Sequence, residues 1–282
     1  MRVLLIGDIV GKPGRQIVVQ SIGKLIASER LDLVIANAEN AAGGSGLLPE
    51  HYRELIAAGV DCITLGDHIY RRKEIAKTLE APDSRIVKPA NFPPEAPGRD
   101  WAIVPARNGT PVAVISLLGR VFMKPVDCPW RAIDRVLAEL PQEVKAIFVD
   151  FHAEATSDKQ LMGRYLDGKV TAVLGTHTHV PTADEQVFPG GTAFQCDVGM
   201  TGPYDSILGR RIDRVLETTR TFTPTHFDVA TGDVRLSGTI VELDPETGRA
   251  SAVQRLCFKQ PQATATAPSQ AKKPSNGPII LM

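Results

Sequence analysis

Acidic and imidazole side chains recur directly after the apolar runs that are predicted to form β-strands. Asp8 follows the run at residues 3–6, and the pair Glu39-Asn40 follows the run at residues 33–36. Ligands of open α/β sheets bind outside the carboxyl ends of the strands, so side chains at these positions are expected to share one edge of a sheet. The full set of such residues is Asp8, Glu39, Asn40, Asp67, His68, Asp150, His152, His177 and His179.

These residue types favour a metal centre. The set includes most of the six histidines of the chain, and the spacing of His177 and His179 places both imidazoles on one side of an extended segment. Imidazole nitrogen combined with carboxylate oxygen suits Zn, Mn or Fe, and the set lacks the thiolates of a structural zinc site. The ligands exceed what one tetrahedral ion needs, whereas two ions roughly 3.5–4 Å apart, bridged by one carboxylate, would use them all.

The segments that must position these residues alternate between the apolar pattern of buried strands and that of helices. Short, nearly continuous apolar runs predict buried strands, and apolar residues at helical spacing after Pro13 predict a helix behind the first strand. This alternation implies a mostly parallel sheet covered by helices. The predicted strands are 3–6, 33–36, 62–65, 101–104, 112–118, 146–149, 170–174, 227–229, 234–243 and 250–258, the last three antiparallel, and further helices are predicted at 47–58, 71–79, 133–140, 159–166 and 207–216.

Composition narrows the class of protein. Lys+Arg and Asp+Glu both number 32, and this balance argues against a dedicated nucleic-acid binder. No apolar run approaches the roughly 18 residues of a membrane span, and the four cysteines form no Cys-x-x-Cys pair. These features predict a soluble cytoplasmic protein. Residues 1–259 are predicted to form a single domain, and residues 260–282, rich in Ala, Thr, Pro, Ser, Lys and Gln, a disordered low-complexity tail.

Several motifs resemble known signatures but fail on inspection. The segment from Gly7 to Pro13 is one residue too short for a phosphate loop and has proline where Ser or Thr must reach magnesium. His152-Ala-Glu154 lacks the Pro-Cys-x-x-Cys of a deaminase. The glycine-rich turn Gly43-Gly44-Ser45-Gly46 does not have dinucleotide spacing, and no Gly-x-Ser-x-Gly is present.

Taken together, the motifs resemble those of the calcineurin-like metallophosphoesterases, and within them the YmdB-like branch of bacterial cyclic-nucleotide phosphodiesterases. The resemblance covers about residues 1–258 and implies an α/β fold, the four-layer α/β/β/α metallophosphoesterase sandwich, with a dinuclear metal centre. The segments that carry it are Gly7-Asp8, Glu39-Asn40, Gly66-Asp67-His68, Asp150-Phe-His152-Ala-Glu-Ala-Thr, Gly175-Thr-His177-Thr-His179-Val-Pro-Thr-Ala-Asp and Asp197-Val-Gly-Met-Thr-Gly202.

The resemblance also implies a role for each residue of the set. Asp8, Asn40 and His179 would hold the first metal, Glu39 would bridge, and Asp67, His152 and His177 would hold the second. His68 would be the catalytic acid beside the leaving group. The two ions would be iron or manganese, with zinc also compatible. No organic cofactor is implied.

Two departures from the superfamily pattern concern positions 10 and 67. Val10 stands where an Asp-x-His opening motif would have histidine, and Glu39-Asn40 replaces that motif. Asp67 stands where the family normally has asparagine. The additional carboxylate removes one positive charge from the centre, so it should hold metal more tightly and leave it a weaker Lewis acid.

Some of these assignments have structural alternatives. Asn40 could stabilise the glycine-rich turn instead of binding metal, and His68 could be a metal ligand instead of an acid. Asp150 is better explained as a residue that orients His152 than as a ligand. A solvated surface explains Arg71-Arg72-Lys73 better than a phosphate-guiding role.

The implied reaction is hydrolysis of a cyclic nucleotide. A hydroxide bridging the ions would attack phosphorus in line, and His68 would protonate the departing ribose oxygen. A 2′,3′-cyclic nucleotide is the favoured small-molecule substrate, and a 3′,5′-cyclic nucleotide or another phosphodiester stays open. The alternatives are a broad-specificity phosphomonoesterase and a catalytically weak metal- or nucleotide-binding regulatory protein. Neither a stable nucleic-acid complex nor membrane association is expected, and homo-oligomer formation is left open.

Overall fold

The computed structural model describes residues 1–259, so the predicted tail at 260–282 lies outside the described residues. Its strands form two sheets. The strands are β1 (Arg2–Ile6), β2 (Leu33–Asn37), β3 (Cys62–Thr64), β4 (Ile86–Val87), β5 (Trp101–Pro105), β6 (Pro111–Leu118), β7 (Ala146–His152), β8 (Ala172–Thr176), β9 (Gln186–Val187), β10 (Ala193–Gln195), β11 (Gly202–Asp205), β12 (Gly232–Leu243) and β13 (Ala250–Lys259).

Six α-helices and one short 3-10 turn connect the strands in the described part of the chain. Proline stands at the first positions of two helices, where its missing N–H would have no helical partner in any case. The helices are α1 (Gly11–Ser28), α2 (Pro49–Ala58), α3 (Ala76–Leu79), α4 (Pro129–Glu139), α5 (Thr156–Tyr165) and α6 (Ile212–Thr221), and the 3-10 turn is Lys73–Ile75. None of the described helices is long and apolar enough to cross a membrane.

The first sheet has seven strands in the order β11-β12-β1-β2-β3-β4, with β13 also paired to β12. Strands β1 to β4 are parallel neighbours, so they all end at the same edge. The long strand β12 returns antiparallel to β1 and brings the C-terminal hairpin of β12 and β13 onto this sheet. The antiparallel pairing predicted for the C-terminal strands is therefore observed.

The second sheet has six strands in the order β5-β6-β7-β8-β10-β9. Its central strands β6, β7, β8 and β10 are parallel, and antiparallel strands close both edges. In register, His152 at the end of β7 pairs with Thr176 at the end of β8. The carboxyl ends of the central strands thus form one edge, as in the first sheet.

Three apolar cores stack the molecule in four layers. One core packs α1 and α2 on the outer face of the first sheet, with Ile22 and Leu55 fully buried. A second lies between the sheets, where Val3 and Phe148 belong to the same cluster. A third packs α4 and α5 on the second sheet through residues such as Ile133 and Met162. The order helix, sheet, sheet, helix confirms the predicted α/β/β/α sandwich.

Some local predictions were wrong. The helix expected at 207–216 begins only at Ile212 because residues 207–210 form a tight turn closed by two backbone hydrogen bonds. Residues 227–229 are not a strand, and only Val229 makes an isolated bridge, to Arg210. The helix expected at 71–79 is a 3-10 turn followed by one α-helical turn. The short strands β4, β9, β10 and β11 were not predicted.

Candidate metal centre

The carboxyl ends of both sheets meet at one place. Asp8 follows β1, Glu39 follows β2 and Asp67 follows β3, while His152 ends β7 and His177 follows β8. The two edges are joined by hydrogen bonds between the sheets. Thr64 Oγ1 donates to Asp150 Oδ2 at 2.6 Å, and Asn37 Nδ2 donates to the same oxygen at 3.0 Å. The structure therefore brings the predicted set of residues together.

A compact group of four ligand-type side chains lies at the centre of this edge. One ligand atom from each of Glu39, Asp67, His152 and His177 lies within 4.8 Å of all the others. His152 Nε2 is 3.3 Å from Glu39 Oε1, 3.4 Å from Asp67 Oδ1 and 3.0 Å from His177 Nδ1. Three of these residues are those predicted for the second metal, and Glu39 is the predicted bridge.

The remaining three predicted ligands lie beside this group. His179 Nε2 is 3.8 Å from Asp8 Oδ1 and 3.3 Å from the side-chain amide nitrogen of Asn40. That same amide nitrogen donates to Glu39 Oε1 at 3.1 Å. For Asn40 to bind a metal through oxygen, its amide must turn over so that Oδ1 takes the place of Nδ2. The assignment of all seven ligands stays a prediction.

The orientation of His152 is fixed by a buried polar network. Its Nδ1 lies 2.8 Å from Thr176 Oγ1, and that hydroxyl donates to Asp150 Oδ1 at 2.6 Å. The Thr176 oxygen therefore accepts a hydrogen bond from Nδ1–H, which leaves Nε2 to face Glu39 and Asp67. Asp150 is linked to the His152 ring through Thr176 and makes no direct hydrogen bond to it, as expected of a residue that orients the ring.

The turn after β8 presents the other two imidazoles. His177 and His179 both have left-handed backbones, with φ of +94° and +66°, conformations that non-glycine residues rarely adopt. His177 Nε2 lies 3.1 Å from Glu154 Oε2, so its Nδ1 faces the cluster. His179 Nδ1 donates to the backbone oxygen of Leu208 at 3.2 Å, so its Nε2 faces Asp8.

A buried ion pair holds this turn from behind. Asp197 Oδ2 accepts hydrogen bonds from the Thr178 backbone N–H at 3.0 Å and the Thr178 hydroxyl at 2.7 Å. Lys159 donates to the same oxygen at 2.8 Å, and neither side chain of the pair is more than 2% exposed. Because Thr178 stands between the two histidines, Asp197 supports the strained turn and does not line the site.

Electrostatics show how this group of side chains is balanced without a metal. Burial raises the pKa of Asp8 to about 8, although the charge of His152 acts in the opposite direction. Burial also opposes ionisation of Glu39, yet the charges and hydrogen bonds of His152 and His68 hold its pKa well below the usual value. Burial lowers the pKa of His152, but Glu39 and Asp67 outweigh it and raise the pKa well above the usual value. A proton on His152 thus offsets the carboxylates.

These side chains fit divalent ions. Asp8 Oδ1 and Asp67 Oδ1 are buried and have no hydrogen-bond partner among residues 1–259, although such oxygens in a protein interior are normally satisfied. Both oxygens point into the group of imidazole nitrogens described above. A cation would satisfy them and would replace the proton of His152, because only neutral imidazole can bind a metal.

His68 stands at the rim of the group. Its Nδ1 is 2.7 Å from Asn40 Oδ1, its Nε2 is 3.8 Å from Asp67 Oδ2, and its side chain is 27% exposed. Lys124 reaches over from the other sheet, donating to the backbone oxygen of Asp67 at 2.6 Å with its Nζ 3.8 Å from Asp67 Oδ2. If the Asn40 amide turns over to bind a metal, its Nδ2 would donate to Nδ1 of His68, and Nε2 would then carry the ring proton.

A cleft of about 280 Å³ opens above these residues. Its walls combine the candidate site with apolar and cationic groups from neighbouring loops. Val10 and Leu208 supply apolar surface, and Arg210 supplies a guanidinium group. The cleft gives access to Glu39, Asn40, His68, His177 and His179.

Sequence reasoning missed the residues that support the candidate ligands. Asn37 and Thr176 are the last residues of buried strands, and a polar residue at that position was the only available signal. Glu154 appeared in an incomplete deaminase motif and in a segment that carries the family resemblance, but it was given no role. Lys124 and Arg210 reach the site from loops distant in sequence, and nothing in their local sequence predicts this.

The two facing sheets and the carboxylate–imidazole cluster at their shared edge define a protein of the metallophosphoesterase type. Comparison with known proteins agrees. A family model for YmdB-like proteins matches residues 4–256. The chain is 45% identical over 256 residues to a 2′,3′-cyclic-nucleotide 2′-phosphodiesterase from Bacillus subtilis, covering 91% of this chain and 96% of the relative. The chain belongs to the YmdB-like family.

Other relatives match over a similar share of the chain. A putative phosphatase/phosphodiesterase from Mycoplasma pneumoniae is 33% identical over 254 residues, covering 88% of this chain and 89% of the relative. A solved structure of a hypothetical protein from Thermus thermophilus has a TM-score of 0.86 at 42% identity, covering 93% of this chain and 100% of the other. A solved structure of a novel phosphatase from Mycoplasma pneumoniae has a TM-score of 0.85 at 30% identity, covering 92% and 93%.

Proposed function

We propose that the protein is a dinuclear-metal phosphodiesterase that hydrolyses 2′,3′-cyclic nucleotides. The observation that carries the proposal is the convergence of Glu39, Asp67, His152 and His177 within 4.8 Å beneath an open cleft. The 45% identity to a 2′,3′-cyclic-nucleotide 2′-phosphodiesterase supports this choice of substrate. A 3′,5′-cyclic nucleotide is the secondary candidate of the same class.

Seven side chains would hold the two ions. Asp8, Asn40 and His179 would bind the first, Asp67, His152 and His177 the second, and Glu39 both. Imidazole and carboxylate ligands without thiolate fit manganese or iron, and zinc is compatible. When bound, such ions supply a water of lowered pKa and neutralise the charge that develops on phosphate oxygens.

The chain itself would orient the ligands and move the proton. The Asp150–Thr176 pair keeps Nε2 of His152 facing the metal site, and Glu154 keeps Nδ1 of His177 facing it. His68 lies at the rim with Nε2 free of the Asn40 contact, and would protonate the departing ribose oxygen. A general acid so placed contributes about 10²–10⁴-fold to the rate.

Phosphomonoester hydrolysis is a second candidate. The two Mycoplasma relatives are described as a putative phosphatase/phosphodiesterase and a novel phosphatase, and one metal centre can serve both reactions. A regulatory protein with negligible turnover has less support, because His68 is present at the rim of the site. We propose that the substrate is a small molecule. We also propose that the protein is cytoplasmic, and this proposal is supported by the composition and cysteine pattern of the sequence.

The roles of His68 and Glu39 are separable by mutation. His68→Ala should lower turnover of 2′,3′-cyclic AMP about 10²-fold or more while metal content stays near that of the wild type, since His68 is an acid and not a ligand. Glu39→Ala should lose metal and turnover together. Turnover and metal content measured on the same preparations test both statements, and an equal loss of metal from the two variants would make His68 a ligand.

A further inference from the structure

The glycine-rich turn Gly43–Gly46 has a structural role that its sequence did not indicate. Gly43, Gly44 and Gly46 have left-handed φ values of +64°, +87° and +86°. A Cβ on Gly44 would lie 2.5 Å from Arg210 Cζ, and a Cβ on Gly46 would lie 2.6 Å from Arg72 Cγ. The missing side chains therefore make room for two arginines that pack against the turn.

Arg210 is held firmly against this turn by its backbone. Its guanidinium donates to the backbone oxygens of Gly43 and Phe227 at 3.0 and 2.9 Å, and to that of Gly44. These bonds fix the guanidinium in the wall of the metal cleft, where it lies among residues that include Asn40, His68 and His179. The position of the charge is thus set before a substrate binds.

The guanidinium of Arg210 has no carboxylate in direct contact with it among the described residues. The three hydrogen bonds of its guanidinium all go to neutral carbonyl groups, and Arg210 forms no ion pair among residues 1–259. The acidic residue whose charge it feels is Asp228, which faces His226 at 3.5 Å. A partly buried guanidinium without a counter-ion is costly, and an anionic ligand would offset that cost.

The location of Arg210 shows which part of a substrate it would meet. Gly44 lines the metal cleft, whereas its neighbour Gly43 lines a larger cavity of about 1250 Å³. Lys12, at the start of α1, also lines this larger cavity and has no ion-pair partner in the described chain. Because Arg210 donates hydrogen bonds to both Gly43 and Gly44, its guanidinium lies where the linings of the two cavities adjoin.

We propose that Arg210 binds a second phosphate group of the substrate, the one on the 5′ side of the nucleoside whose cyclic phosphate is hydrolysed. This inference rests on the proposed function and extends it to the substrate class. The scissile group would be held by the metals, and the second phosphate would accept hydrogen bonds from the guanidinium. A 5′-phosphate on a single nucleotide and the last phosphodiester of an oligonucleotide offer the same group.

Three substrates separate these cases. Adenosine 2′,3′-cyclic phosphate lacks the second phosphate, its 5′-phosphorylated form carries it as a monoester, and a diadenosine dinucleotide with a 2′,3′-cyclic end carries it as a diester. The wild type should show a kcat/KM about tenfold higher for the last two than for the first, mainly through KM, as one charge-assisted contact allows. A higher value for the dinucleotide alone would assign the site to oligonucleotide ends.

Two pairs of variants test the role of Arg210. Arg210→Met should remove the preference, whereas Arg210→Lys should keep part of it because the charge remains. Gly44→Ala should also remove it by displacing the guanidinium. Gly46→Ala is the matched control: it has nearly the same backbone strain but displaces Arg72, which does not line the cleft, so the substrate preference should stay that of the wild type.

Metal content and melting temperature of every variant distinguish substrate binding from a structural role. Loss of metal in Arg210→Met, with the ratio of kcat/KM values unchanged, would mean that Arg210 only clamps the turn and would overturn the inference. Equal kcat/KM of the wild type on all three substrates would also overturn it and leave the proposed function intact. Failure of metal-loaded wild type to cleave any of the three would instead contradict the proposed function.

Discussion

At the scale of single residues, the candidate centre is a group of charges arranged for cations. Two buried carboxylate oxygens, on Asp8 and Asp67, have no hydrogen-bond partner among residues 1–259. His152 has a raised pKa because Glu39 and Asp67 favour its proton. Without metal, His152 therefore keeps a proton. A divalent ion would bring more positive charge to the same place, so metal binding must release protons.

Asp8 provides a test of this electrostatic balance. The folded pKa of Asp8 is about 8, above the value of 3.8 usual for an exposed aspartate, so between these pH values the folded state keeps a proton that the unfolded state loses. The metal-free protein should therefore lose stability as pH rises through this window. Asp8→Asn does not titrate, and it should gain stability over the wild type, by up to about 4 kcal/mol, between pH 5 and pH 8.

Denaturant unfolding of both metal-free proteins across this pH range measures the difference. With metal bound, the order should reverse, because the ionised carboxylate of the wild type becomes a ligand and the amide of the variant is a weaker one. A difference that does not change with pH in the metal-free proteins would show that Asp8 ionises normally.

At the scale of elements, the important segment is the turn after β8. Its two histidines have left-handed backbones, and the buried Lys159–Asp197 pair holds Thr178 between them. Strain of this kind persists where the surroundings hold it in place. The ion pair therefore contributes to the geometry of the site without touching it.

Asp197→Ala should release the turn and leave Lys159 buried without a partner. We expect a loss of about 3–5 kcal/mol in unfolding free energy and a fall of about 10–100-fold in metal affinity. Isothermal titration with Mn²⁺ and denaturant unfolding measure the two effects. Asp184→Asn is the control, because Asp184 accepts a bond from the nearby Cys196 N–H but has no contact with Thr178. Unchanged metal affinity in Asp197→Ala would show that the turn keeps its shape unaided.

Elements were predictable from sequence where the periodicity was strong. The buried strand β2 and the amphipathic helix α4 lie where their apolar patterns placed them. The three-residue strand β10 was missed because so short a segment has no periodicity, and its strand character comes from pairing with β8. The tight turn before Ile212 was taken for helix because Ile207 and Leu208 are apolar, yet both are largely exposed.

At the scale of the whole molecule, two parallel strand edges brought together produce the site. Asp8 and Glu39 come from the first sheet, and His152 and His177 come from the second. These residues could be identified from the sequence because each directly follows, or ends, an apolar run that predicts a strand. The partners that orient them, such as Thr176 and Asn37, could not be selected, because their role arises from register and from contacts between the sheets.

The central claim is that the chain is a metal-dependent phosphodiesterase. The most direct test is hydrolysis of a bis-aryl and a mono-aryl phosphate by one preparation, before chelation, after it, and after addition of manganese or iron. Diester cleavage that exceeds monoester cleavage, vanishes with chelation and returns with metal is the predicted result. No turnover of either ester by protein that has bound two ions would contradict the claim, as would diester cleavage that chelation leaves unchanged.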